Sequence, residues 1–225
     1  VVDNFVSLAG ATDFILSIID GAVLTADHRS VVIIWRKRIP RYSLKSLALQ
    51  ILRKSNAEAI LERAFLDTMQ SHGVLNVPIL VCDMSENSLV NLCRTNNIDV
   101  IGPLTLPPSG SFPIPFFGYI YDFQHKYLPE LFSFEEIGLR DARFELILKR
   151  CSAVIVNADS VKKDVEVYYP EFSDRVVVLP FSASANRAWF DQDIEKVCNT
   201  YGVGERYFII SNQFWLHKRH EVAIQ

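Results

Sequence analysis

The chain alternates short apolar runs with longer segments in which apolar residues recur at helical spacing. The apolar, β-branched runs predict strands at residues 31–35, 78–82, 99–101, 116–121, 153–156, 176–179 and 207–211. The helical spacing predicts helices at residues 13–26, 44–71, 86–96, 134–150, 160–168 and 191–201. Because this alternation is typical of βαβ units, we expect an α/β fold built on a Rossmann-like, doubly wound parallel sheet.

Two of the predicted helices carry recognisable start signals. Ser133 is followed three residues later by Glu136, which is the capping-box pattern, so a helix should begin directly after Ser133. Thr12 is positioned to cap the first helix. The buried stripe of that first helix is predicted to contain Phe14, Leu16, Ile18, Ile19 and Val23.

The periodic pattern weakens after residue 181, which indicates a change of domain. We predict an N-terminal Rossmann-like domain at residues 1–185 and a linker with a short helix at 186–204. Residues 205–225 are predicted to be the first strand and helix of a second Rossmann-like domain, the remainder of which would lie beyond Gln225.

The composition indicates a globular protein. Of the 225 residues 49% are hydrophobic and 22% are charged, which excludes a disordered chain. No apolar run approaches the roughly 20 residues that span a bilayer, and the first residues do not resemble a signal peptide, so we expect a cytoplasmic protein. The cysteines are too scattered for a metal or redox motif and are predicted to be small buried residues: Cys82, Cys93, Cys151 and Cys198.

Basic residues are concentrated in the segment 29–54. This segment contains eight lysines and arginines and no acidic residue, although the chain as a whole has a net charge of −3. One interpretation is an ordinary solvated surface. The other is a peripheral contact with anionic phospholipid or with a phosphorylated acceptor, since basic residues are attracted to such surfaces. The overall negative charge does not favour a nucleic-acid partner.

Candidate chemistry lies in three loops that follow or precede predicted strands. Gly10 lies in a small-residue turn before the first helix, where free backbone N–H groups and the helix dipole could bind a phosphate, or where the chain simply turns. Asp122, Gln124 and His125 follow the predicted strand 116–121. Asp122 and His125 are the candidate catalytic residues, because a carboxylate and an imidazole can bind hydroxyls and exchange protons. Alternatively, His125 holds its neighbours in place and Asp122 caps the following turn.

The third candidate loop lies close to the end of the chain. Asn212 and Gln213 follow the predicted strand 207–211. The basic residues from His217 to His220 are predicted to begin the next helix. Cations in a first helical turn oppose the helix dipole, and a bound anion would reverse that effect. We therefore interpret Lys218 as a candidate pyrophosphate ligand, with a solvated surface as the alternative.

Several of these segments together resemble a known family. The runs YDFQHKYLPELFS (121–133), RDARF (140–144), AVIVNADSVKKDVEVYYPEF (153–172), VVVLPF (176–181) and SNQFWLHKRH (211–220) occur in the order and spacing of glycosyltransferase family 4, also called group 1, which has the GT-B fold. The similarity extends from about residue 118 to residue 225. Upstream, only AGATDFILSIIDGA (9–22) resembles the family's Gly-rich first loop and helix.

The resemblance implies a retaining glycosyltransferase of the hexosyltransferase type that needs no cofactor and usually no metal. Such enzymes transfer a sugar from a nucleotide diphosphate sugar to an acceptor hydroxyl, here in cell-surface polysaccharide, lipid-linked glycan or glycoconjugate biosynthesis. By position, Gly10 would lie near the donor phosphates, His125 near the transferred sugar and Lys218 on the pyrophosphate, where it would stabilise the leaving group. Asn212 and Gln213 stand near the place where many relatives have an arginine.

The family's pair of donor-binding glutamates has no counterpart before Gln225. The resemblance therefore implies that residues 1–225 form mainly the acceptor side of the enzyme and have little activity by themselves. Two other functions remain open: another GT-B enzyme such as a sugar-nucleotide epimerase, and a non-catalytic α/β module that binds a glycan or a partner.

Overall fold

The structure is a computed structural model that describes residues 11–25, 31–36, 77–83, 85–181, 190–204, 206–211 and 214–224. The chain divides into two compact units, Val1–Ser184 and Ala185–Gln225, which are described separately. The first unit has an α/β fold with parallel sheets flanked by helices, as predicted. The predicted helix at 44–71 lies outside the described residues.

Six strands form two parallel sheets in the described residues of the first unit. Strands β1 (Ile33–Arg36) and β2 (Ile79–Cys82) pair with each other. The second sheet has four strands in the order β3-β4-β5-β6. Its strands are β3 (Ile101–Leu104), β4 (Phe116–Ile120), β5 (Ala153–Val156) and β6 (Val176–Val178). Every pairing is parallel, so the carboxyl ends of β3 to β6 share one edge of the sheet.

Five helices accompany these strands in the described part of the first unit. They are α1 (Ala11–Thr25), α2 (Glu86–Thr95), α3 (Gln124–Tyr127), α4 (Phe134–Arg150) and α5 (Asp159–Tyr168). Short 3-10 helices follow α3 at Pro129–Leu131 and α5 at Pro170–Arg175. None of the described helices is long and apolar enough to cross a bilayer.

The helices cover both faces of the strands. Successive side chains of a strand point to opposite faces, and two hydrophobic clusters divide accordingly. One cluster joins α1 to Ile33 and Tyr119, with Ile155 packed against it. The other joins the apolar faces of α2, α4 and α5 to the opposite side of the strands, where its members include Ile34, Ile120, Val154 and Val156.

Helix α4 approaches β4 at Gly118. A Cβ at this position would lie 2.5 Å from Cγ2 of Ile147 and 2.8 Å from Sγ of Cys151. Glycine is therefore required here for space, and it sets how closely the helix packs on the sheet. The capping box predicted for α4 is confirmed: Ser133 Oγ accepts from the Glu136 backbone N–H at 3.2 Å, and Glu136 Oε2 accepts from the Ser133 backbone N–H at 2.8 Å.

Some sequence predictions in the first unit were wrong in detail. The third strand was predicted at 99–101, but β3 is Ile101–Leu104 and includes Pro103. A proline is tolerated because β3 is the outer strand of its four-stranded sheet. Helix α1 begins before Thr12, so Thr12 is not its cap, and Val23 is exposed whereas Ile15 is buried.

The described part of the second unit contains helices but no strand. Helix α6 (Ile194–Tyr201) is capped by Asp193, whose side chain accepts from the Lys196 backbone N–H, and ends at Gly202 in the left-handed conformation. Residues 207–211 have no strand structure, contrary to the prediction, because the described part of this unit offers no second strand with which they can pair. The last helix, α7 (His220–Ile224), has only five residues.

Candidate functional site

The candidate catalytic residues of the sequence lie where β4 ends. Asp122 follows β4 by two residues, and Gln124 and His125 begin the single turn of α3. This position is at the carboxyl edge of the parallel sheet, which is where ligands bind in open α/β folds. The following helix α4 contributes two further charged residues, Arg140 and Asp141, to the same place.

Asp122 is held by two hydrogen bonds on one carboxylate oxygen. Its Oδ1 accepts from the backbone N–H of Gln124 at 3.0 Å, which is the turn-capping contact that the sequence left open. The same Oδ1 accepts from Nη2 of Arg140 in an ion pair. Among the described residues Oδ2 has no partner, and 42% of the side chain is exposed. Asp122 is therefore a partly exposed carboxylate of which one oxygen, Oδ1, is fixed by the protein.

His125 is buried, with 1% of its surface exposed, and both of its ring nitrogens have protein partners. Arg140 donates from Nε to Nδ1 at 3.1 Å, and Nε2 lies 2.9 Å from Oδ1 of Asp141. Rings of Phe132 and Phe144 contact the imidazole edge-on. This environment favours the alternative in which the loop histidine holds its neighbours in place.

Asp141 connects His125 to Lys126. Its Oδ2 accepts from Nζ of Lys126 at 2.7 Å, while its Oδ1 faces His125. Burial raises the pKa of the Asp141 carboxyl, but the hydrogen bonds and charges of Lys126 and His125 outweigh burial, and the pKa lies below its ordinary value of 3.8. Two carboxylates, Asp122 and Asp141, and two cations, Lys126 and Arg140, thus surround His125.

Arg140 is packed against aromatic rings. Its guanidinium carbon lies 5.1 Å from the ring centres of Tyr121 and Phe132 and 5.7 Å from that of Phe144. Only 17% of the side chain is exposed. Such contacts are favourable for a cation and keep the guanidinium plane in one orientation.

Tyr119 and Asn157 form a second polar contact at the same sheet edge. Asn157 immediately follows β5, and its side chain makes a hydrogen bond with Tyr119. Burial is the main reason that the pKa of Tyr119 is raised to about 12; Asp122 and Tyr121 raise it further, while the bond to Asn157 opposes the rise. The Tyr119 ring stacks on Phe14 of α1 with a centroid distance of 4.6 Å.

Helix α5 secures the loop that carries His125. Phe123 stacks on Tyr168 at 5.7 Å, and Lys126 lies over the Tyr168 ring at 5.4 Å. Tyr127 donates a hydrogen bond to Asp164. The loop is therefore fixed on the side of α5 as well as on the side of α4.

The remaining predicted site residues lie outside the described residues or in the second unit. Gly10, Asn212 and Gln213 lie outside the described residues. Lys218 is exposed in a 3-10 turn, Leu216–Lys218, that precedes α7, so it does not begin a helix as expected. Because Lys218 belongs to the second unit, its position is described within that unit only.

Arg140 and Asp141 belong to the RDARF run, and the sequence patterns above predict no role for them. A signal was available: both stand one turn before Phe144 on the stripe that α4 buries. Charged residues on a buried stripe require partners, and the preceding loop supplies them in Asp122 and His125.

The four cysteines are free. Cys82, Cys93 and Cys151 are buried as predicted, whereas Cys198 is only partly buried, contrary to the prediction, because its helix α6 buries none of its residues. In the parts of the chain that the structure describes, His, Cys, Asp and Glu do not form a group of three or more that could hold a metal ion.

Taken together, the described residues define an α/β protein with a charged, hydrogen-bonded cluster at the carboxyl edge of a parallel sheet. Comparison of the chain with protein-family models, with curated proteins and with solved structures found no match. Its function must therefore be inferred from its own residues.

Proposed function

We propose that this chain forms the acceptor side of a retaining glycosyltransferase that transfers a hexose from a nucleotide diphosphate sugar to a saccharide or lipid-linked hydroxyl. One observation carries the proposal: the Asp122 side chain is 42% exposed at the carboxyl edge of the sheet, while its Oδ1 is fixed by Arg140 and the Gln124 backbone. A fixed carboxylate is a suitable hydrogen-bond acceptor for a sugar hydroxyl.

The role of Asp122 in this proposal is acceptor recognition. A hydroxyl that donates to Oδ2 would be held in one orientation. The rings of Tyr121 and Phe132, which pack against Arg140, are only partly buried and could contact the apolar face of a sugar. Lys218 remains our proposed ligand of the donor pyrophosphate, on the basis of the sequence resemblance. The reaction so described uses the donor sugar nucleotide as substrate and no metal.

The proposal includes a place of action. A cytoplasmic enzyme of cell-surface polysaccharide or glycoconjugate synthesis meets lipid-linked acceptors at the inner face of the membrane. The basic segment 29–54 would provide a peripheral contact there, because its eight cations are attracted to anionic lipid.

Calorimetric titration with a panel of short saccharides tests the acceptor role. We expect Asp122→Asn to weaken saccharide binding about tenfold or more, since a hydrogen bond to a charged group contributes about 1.5–3 kcal/mol. Asp174→Asn is the matched control, because Asp174 is exposed and precedes β6 at the opposite edge of the sheet. Equal binding by the wild type and Asp122→Asn would contradict the assignment.

Release of nucleoside diphosphate from UDP- and GDP-hexoses, with the bound saccharide present, tests transfer itself. We expect Lys218→Ala to abolish this release, because the pyrophosphate would lose its cationic ligand. Full activity of that variant would contradict the role of Lys218.

A non-catalytic glycan-binding module is the second candidate. It is favoured by the burial of His125, whose nitrogens are both bound within the protein and do not face a reacting sugar. Saccharide binding that depends on Asp122, without turnover of any sugar nucleotide by the complete protein, would support the module and exclude the transferase.

A further inference from the structure

The burial of His125 excludes direct contact with a ligand in the structure as it stands. Its ring is 1% exposed, and the two nitrogens through which an imidazole acts are occupied by Arg140 and Asp141. Any influence of His125 on a ligand must therefore pass through one of these two residues.

Arg140 determines which tautomer His125 adopts. A guanidinium only donates hydrogen bonds, so the contact from Arg140 Nε requires a lone pair on Nδ1. The ring proton of the neutral imidazole then lies on Nε2 and is donated to Oδ1 of Asp141. Asp141 is held in turn by Lys126. The histidine is thus a neutral link that accepts from one side and donates to the other.

Arg140 connects His125 to Asp122 through two hydrogen bonds. The Nε–H bond to His125 restricts the rotation of the guanidinium, and the rings of Tyr121, Phe132 and Phe144 lie 5.1–5.7 Å from its central carbon. From this position Nη2 donates to Oδ1 of Asp122. The direction of the free oxygen Oδ2 is consequently set by a series of hydrogen bonds that begins at Asp141.

We propose that His125 is a positioning residue, which aims the Asp122 carboxylate at a ligand hydroxyl by holding the Nε–H of Arg140 with Nδ1. This inference rests on the proposed function only in taking Asp122 as the group that binds the ligand. Arg140 and Asp141 then belong to the same site as Asp122. His125 acts on the sugar through Arg140 and does not contact it directly.

Two substitutions of His125 separate this role from simple packing. His125→Asn retains an oxygen near the position of Nδ1 and can still accept from Arg140, but its side chain is too short to reach Asp141. His125→Gln extends its amide to the position of Nε2 and can contact Asp141, but it offers no acceptor to Arg140. If His125 only filled space, the larger glutamine would be the better replacement.

Nitrogen NMR of the imidazole and of the arginine side chain provides the first test. In the wild type we expect an unprotonated Nδ1 and a protonated Nε2 for His125, together with a slowly exchanging Arg140 Nε–H signal. That signal should persist in His125→Asn and disappear in His125→Gln. A wild-type His125 protonated on Nδ1 would overturn the inference without any need for a variant.

Saccharide titration provides the second test. We expect His125→Gln to weaken binding about tenfold, as Asp122→Asn does, and His125→Asn to remain within about twofold of the wild type. Equal weakening by both His125 variants, or retention by glutamine alone, would refute the positioning role. If the NMR pattern holds but Asp122→Asn binds every saccharide as well as the wild type, the proposed function fails and the link between His125 and Arg140 stands.

Discussion

The close contact between Gly118 and α4 gives the sharpest test of the fold. Replacing Gly118 with alanine would place a methyl group 2.5 Å from Cγ2 of Ile147 and 2.8 Å from Sγ of Cys151. Carbon atoms in contact normally lie about 3.5–4.0 Å apart, so α4 or the side chains must move by roughly 1 Å. Overpacking of a buried site typically costs about 1–3 kcal/mol.

A matched glycine lies on α4 itself. Gly138 is an exposed helical residue, and a Cβ there would meet no atom within 4 Å. Gly138→Ala should raise stability by about 0.5–1 kcal/mol, because alanine has the higher helix propensity. The same substitution, glycine to alanine, is therefore expected to lower stability at one position and raise it at the other, with the two variants separated by about 1.5–4 kcal/mol in the free energy of unfolding.

Urea denaturation followed by circular dichroism measures both effects. At this chain length 1 kcal/mol corresponds to a change of roughly 2–4 °C in Tm, so thermal unfolding gives an independent check. In an Ile147→Ala background the penalty of Gly118→Ala should shrink, because the atom at 2.5 Å is gone. If Gly118→Ala were as stable as the wild type, α4 would not pack on β4 in the described register.

Three further predictions follow from the described residues. Ser133→Ala should lower the free energy of unfolding by about 1 kcal/mol in urea denaturation, because the N-cap of α4 is lost. The pKa of Asp141 is depressed in the folded state, so its contribution to stability should be complete above pH 3.8 and be lost as the pH falls below that value. The difference in unfolding free energy between the wild type and Asp141→Asn should therefore shrink over that range. A constant difference would contradict this. A disulfide reagent that labels accessible thiols should react only with Cys198 before the protein unfolds. Cys93 and Cys151 are buried, and burial raises the pKa of the Cys151 thiol to about 12. Rapid reaction of more than one thiol would contradict the described packing.

The sequence by itself determined the features that depend on short-range physics. The alternation of apolar runs and helical spacing gave the α/β class and most of the described element bounds of the first unit. The capping box at Ser133 needs only residues within one helical turn, so it could be recognised without any tertiary information. The position of Asp122 at a strand end was likewise visible, because strand periodicity stops there.

The tertiary structure decided which side chains meet. His125 reads as a surface loop residue in the sequence, but it becomes buried because α4 brings Arg140 and Asp141 to it from 15 and 16 residues away. Residues 207–211 have the apolar character of a strand and still form none, since a strand depends on a partner rather than on its own residues. Pairing of charges and of strands is determined by packing across the fold, and local patterns do not contain that information.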